Sequence, residues 1–267
     1  MPDANPSPAV SGNEYRVKAD GGPRYTETPR DPLAPDAPVP AEPWNTATAA
    51  FFIVLVLVWL VRLRGRFRQF PFMVACLPIL AVGAVAGTLY HATRTRKIYF
   101  VLDWVPISLL GLAAAIYLGI RLGRAKGMSN AKAMLLAMGV VIVYGVLNRT
   151  VFAFLPADPP TLRISVSYTS MALLILLPLV ATLVRTRFRH AWLVWGGLAG
   201  FGIAIVCRLV DPYSPLPMGT HWLWHTFGCL ATSLLFEYFY RLEGNVEPLA
   251  ASREMNSRDA ASGVTPP

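Results

Sequence analysis

From residue 44 onward the chain alternates between long apolar runs and short basic connections. Seven runs stand out, at 44–61, 70–90, 98–120, 131–147, 164–184, 191–206 and 221–240. Each is near the ~20 residues that a helix needs to cross a bilayer. None shows the period-two alternation of a strand. In lipid, where every backbone polar group must find a partner within the protein, seven helices are the spanning solution this pattern predicts. The short connections make neighbours antiparallel, so the expected fold is all-α, an integral membrane seven-transmembrane-helix bundle over residues 44–240.

The flanks differ in kind. Residues 1–43 hold ten of the 23 prolines with Ser, Gly, Asp and Glu and no hydrophobic period, which predicts a disordered tail. Residues 241–267 are polar and mixed in charge, and predict a mobile cytoplasmic end. No cleavable signal sequence precedes the first run.

Basic residues set the expected orientation. The connections after the first, third and fifth runs carry Arg62, Arg64, Arg66 and Arg68, then Arg121, Arg124, Lys126 and Lys132, then Arg185, Arg187 and Arg189. The alternate connections hold fewer, although Arg94, Arg96 and Lys97 fit that pattern poorly. The balance places the N-terminus outside and the C-terminus in the cytoplasm.

Composition agrees with this class. Of 267 residues, 54% are hydrophobic and 15% charged, against about a quarter charged in soluble domains. The net charge of +9 is divided among short clusters between apolar runs, so it reads as topology and gives no case for nucleic-acid binding. Cys76, Cys207 and Cys229 are scattered within apolar runs, where they act as small packing residues.

Ionisable side chains inside such runs carry the candidate chemistry. His221 and His225 open the last run four residues apart, which on a helix stacks both imidazoles on one face. The pair is either a metal site or an interfacial anchor. His91 ends the second run and Asp103 lies about one and a half turns into the third, so all four fall at one depth on the outer side. His190, beside Arg189, reads as a solvated loop residue.

Three histidines with a carboxylate at one level is the composition of a catalytic zinc site, with a fourth position open to water. Zinc there would bring the pKa of that water down to about 7 and polarise a carbonyl. Asp103 is the expected proton-transfer group; the alternative is a structural carboxylate paired with Arg94, Arg96 or Lys97. Thr88, one turn before His91, either donates its hydroxyl to a developing oxyanion or bonds its own helix backbone.

Taken together, AEPWNT entering the first run, a small residue (Gly87) four positions before His91, the LD-xx-P segment around Asp103 and HxxxH at the start of the last run resemble the alkaline ceramidase family. That family belongs to a wider group of seven-helix membrane hydrolases that includes the progestin and adipoQ receptors. The resemblance spans 42–240. It implies zinc ligands at His91, His221 and His225, a catalytic aspartate at Asp103, and cleavage of the N-acyl bond of ceramide. It also implies a calcium role for Glu42. Two positions depart from the pattern: Gly87 stands where the family has serine, and no acidic cluster lies upstream of Glu42 to complete a calcium site. Glu42 and Asn45 are then alternatively caps of the first helix.

The functional expectation is an intramembrane zinc amidase acting on a ceramide-like lipid drawn from the membrane. The alternatives are a non-enzymatic seven-helix receptor or scaffold with a structural zinc, and a haem-binding electron-transfer bundle. Paired Gly- or Pro-broken helices that would point to a transporter are not visible.

Overall fold

A computed structural model describes residues 15–156 and 160–244; residues 1–14, 157–159 (Asp158 among them) and 245–267 lie outside the described residues. Of the described residues 76% are helical and none forms a strand, which leaves a helical bundle as the only spanning architecture.

The helices are labelled in chain order: α1 Pro43–Leu63, α2 Pro71–Thr93, α3 Lys97–Ala125, α4 Asn130–Phe154, α5 Pro160–Arg185, α6 Ala191–Val210 and α7 His221–Gly244. The first consists of two stretches that meet at Ala50, itself in helical φ/ψ. Helices α1 to α6 are long and apolar enough to cross a bilayer. The remaining long helix, α7, has 24 residues but is diluted by its histidines and by Glu237, Arg241 and Glu243. Most helices outrun their apolar runs.

Two interfaces set the geometry around the site. Helix α6 lies against α7 through small residues: a Cβ added at Gly197 would come within 3.0 Å of Leu235, and one at Gly200 within 3.4 Å of the Phe227 carbonyl. Bare backbone there lets two helices approach closely in an environment with no hydrophobic force between them. Helix α2 lies against α3, where Gly83 faces Pro106 and Gly87 faces Asp103.

The core is concentrated toward the arginine-rich end. Trp59, Leu63, Met73, Leu77, Leu118, Leu183, Leu193, Tyr238 and Phe239 are all buried there. A smaller cluster of Tyr168, Ala204 and Trp224 sits higher, beside α7. On the outside, α4 turns Leu135, Ile142 and Leu147 outward, an apolar face suited to lipid.

The tail expected over residues 1–43 is the main departure. Residues 15–42 cross the open end of the bundle as a folded cap. Thr26 donates its backbone N–H to Asp211 Oδ2 at 2.9 Å, and Ala41 and Glu42 donate theirs to the carbonyls of Ala92 and His91 at 2.8 and 3.1 Å. Glu27 accepts from the backbone N–H groups of Trp44 and Asn45 at 2.7 and 3.0 Å. The first turn of α1 is therefore capped from seventeen residues upstream, and neither Glu42 nor Asn45 caps it. The segment needs no hydrophobic period because polar contacts to the bundle fix it in place.

Candidate metal centre

His91 comes from the last turn of α2, and His221 and His225 from the first turns of α7. Asp211, just beyond α6, accepts the backbone N–H groups of Thr220 and His221 through Oδ1, at 2.7 and 2.8 Å. This cap fixes where α7 begins and so where its histidines point. Asp211 stands in the short connection between α6 and α7. Its two oxygens tie the start of α7 to the cap segment.

The three imidazoles converge. Ring centroids are 4.7 Å apart for His91 and His225, 4.8 Å for His221 and His225, and 5.3 Å for His91 and His221. One nitrogen from each lies within 4.8 Å of the others. All three residues are buried, and His91 Nε2, His221 Nδ1 and His225 Nε2 have no hydrogen-bond partner. Three buried lone-pair donors facing one point are costly without a shared partner, and they fit a zinc ion.

Glu42 supports this donor set from behind. Its Oε2 lies 2.5 Å from His91 Nδ1. Burial acts to raise its carboxyl, but the Arg94 guanidinium, His91 and the Thr28 hydroxyl outweigh it and hold the pKa at about 2. An ionised Glu42 keeps the proton of His91 on Nδ1, which leaves Nε2 as the free donor. This is the carboxylate–histidine arrangement that orients metal ligands.

Glu42, to which the resemblance gave a calcium role, is engaged by protein donors. Glu42 is filled by His91, Asn45 Nδ2 at 3.1 Å, Thr28 and Arg94. Asp20 receives Arg94 Nε at 2.8 Å, and Pro23 O receives Arg94 Nη2 at the same distance. The cation at this point is a buried guanidinium, whose donors take up oxygens of Glu42, Asp20, Thr28 and Pro23. Arg94 thus belongs to the cap, and its expected alternative pairing with Asp103 is not formed.

Asp103 lines the wall of a cavity of about 240 Å³ that also includes His225, Gly87, Tyr168 and Trp224. Gly87 makes room for it: a Cβ there would stand 2.5 Å from Asp103 Oδ1. No side chain hydrogen-bonds this carboxylate among the described residues. Thr88 is not part of the cavity wall, and its hydroxyl donates to Ala84 O at 2.8 Å. Of the two readings for Thr88, the backbone bond is the one found, and the oxyanion role is withdrawn. Below the polar rim the cavity is walled by Phe72, Cys76, Leu110, Ile175, Phe201 and Phe239.

Two further residues had no sequence signal. Tyr25 of the cap stacks on His221, with centroids 3.6 Å apart and planes at 12°. Arg208 of α6 is buried and donates to the Tyr25 hydroxyl at 3.2 Å. It lies 5.0 Å from the Trp224 ring and 5.7 Å from the Tyr168 ring. A tyrosine in a proline-rich segment and an arginine at a helix end look ordinary one at a time.

Comparison with protein-family models and with curated proteins finds no match. The functional reading therefore rests on the site.

Proposed function

We propose that this chain is a seven-helix membrane hydrolase that uses one zinc ion, held by His91, His221 and His225, to cleave the N-acyl bond of a ceramide-like lipid. The products are a sphingoid-type amine and a fatty acid. One observation carries the reading: three buried imidazole nitrogens without partners meet beside a mostly apolar cavity whose wall also bears Asp103.

When bound, the zinc would supply a Lewis acid and an activated water. The remaining work falls to the chain. Glu42 holds the Nδ1 proton of His91 and so fixes which nitrogen faces inward. The apolar wall takes the hydrocarbon of a substrate that enters from the bilayer and leaves its amide level with His225 and Asp103. The Asp103 carboxylate, to which no side chain among the described residues donates, takes the proton of the attacking water and gives it to the leaving nitrogen. Water and amide become acid and amine with no other reactant. The cap, with Tyr25 over His221, closes the centre from the outside.

The arginine-rich connections after α1, α3 and α5 support seven crossings with the N-terminus and the metal centre on the non-cytoplasmic side.

The test is metal analysis of purified protein together with turnover of a fluorescent ceramide. One zinc per chain that is lost in His225→Ala, with turnover lost alongside, is the expected result. Full turnover by zinc-free protein rules the mechanism out. Bound zinc without hydrolysis of any ceramide or acyl amide moves the chain to the receptor or scaffold class.

A further inference from the structure

A second concave site lies at the opposite end of the bundle. Arg66, Gln69 and Phe70 of the α1–α2 connection, His190 before α6, and Tyr240, Arg241 and Glu243 near the end of α7 enclose about 400 Å³. Part of its wall is aromatic: Phe70 and Tyr240 stack with centroids 4.5 Å apart and planes at 18°. The Arg66 guanidinium lies 5.6 Å from each of these rings, and that of Arg62 lies 4.7 Å from Tyr240. Such cation–aromatic contacts hold a guanidinium in place without neutralising it.

The acids nearby are already committed. Glu237 pairs with Arg62 Nη1 at 2.5 Å and with Arg241 Nε at 2.7 Å. Glu243 turns toward α2 and accepts the backbone N–H groups of Phe72 and Met73 at 2.9 and 3.2 Å. Arg66 donates to the Arg62 carbonyl at 2.8 Å and has no carboxylate partner among the described residues. Burial, and after it the charges of Arg241 and Arg189, hold His190 below its usual range, and its Nδ1 lies 3.3 Å from Arg241 Nη1. Arg187 and Arg189 are exposed on the adjoining turn.

A guanidinium presents a planar fork of donors that matches phosphate oxygens. We propose that this pocket binds a phosphate group, carried either by the headgroup of an anionic phospholipid or by free inorganic phosphate. The arginine-rich end of a membrane bundle faces the leaflet where anionic lipids concentrate, which brings such a headgroup to the level of Arg66. The site shares no residue with the histidine centre and does not depend on the hydrolase reading.

The test uses full-length protein in nanodiscs of phosphatidylcholine alone, phosphatidylcholine with phosphatidylglycerol, and phosphatidylcholine with millimolar inorganic phosphate. Thermal unfolding is followed in each. The expected result is a rise in Tm of about 2–4 °C with a phosphate source, lost in Arg66→Gln and kept in Arg68→Gln. Arg68 is an exposed arginine of the same connection outside the pocket, so it controls for diffuse attraction. A rise with phosphatidylglycerol alone assigns the lipid headgroup; a rise with inorganic phosphate assigns the free anion. Equal loss in both variants, or no rise with either source, overturns the proposal.

Discussion

The two ends of the bundle each hold an arginine–carboxylate cluster, and they serve different ends. At the capped end, Arg94 joins Asp20 and Glu42 with all three side chains fully buried. At the other end, Arg62 and Arg241 share Glu237 with side chains 41%, 38% and 17% exposed. The chemistry is the same and the surroundings are not. In the exposed cluster water can take over from any lost partner, so little stability depends on it. In the buried cluster every charge relies on the others, and one of its carboxylates also sets the orientation of His91. A buried ion pair contributes modest net stability, yet breaking it is severe, and this one fixes how a candidate ligand is presented.

That contrast can be broken in stages. Arg94→Met leaves two carboxylates buried without a counter-charge, and it is expected to cost about 3–5 kcal/mol, read as a large fall in Tm or as loss of folded protein. Gly87→Ala works on the same end by shape alone. Its new methyl meets Asp103 Oδ1, and a displaced carboxylate is expected to lower ceramide turnover about a hundredfold while zinc content stays the same. Unchanged turnover in that variant would remove Asp103 from the reaction.

Glu42→Gln keeps the shape of the side chain but removes the charge behind His91. Zinc affinity is expected to drop about 10–100-fold, measured by competition with a chromophoric chelator. If zinc is held as tightly as before, the carboxylate only anchors the cap. The smallest effect belongs to the open end: Glu237→Gln is expected to change stability by less than about 1 kcal/mol. A loss there as large as that of Arg94→Met would mean that the two clusters are not different in kind.

Much of the helical framework was legible from hydrophobic length. Runs of about 20 apolar residues have few alternatives in lipid, and the described helices α1 to α6 fall where the runs predicted. The last helix, α7, also begins at the expected histidine, although its polar residues keep it apart from the six apolar spans. The convergence of His91, His221 and His225 was legible for a related reason: each sits at a helix end whose depth follows from the span itself. The cap was not. Its contacts join Thr26 to Asp211 across 185 positions and Asp20 to Arg94 across 74, and no local pattern marks either pair. Thr88 illustrates the same limit at short range, since its position allowed two bonds and the cavity wall runs through Gly87 instead.

By itself, then, the sequence determined where the helices lie and which ionisable residues reach one end of them, because transfer of apolar surface into lipid is a local property that adds along the chain. Only the tertiary structure decided that Glu42 backs a histidine, that Arg94 is interior, and that residues 15–42 are folded. Those outcomes depend on pairing between distant charges, whose sign and strength are set by burial that no single segment possesses on its own.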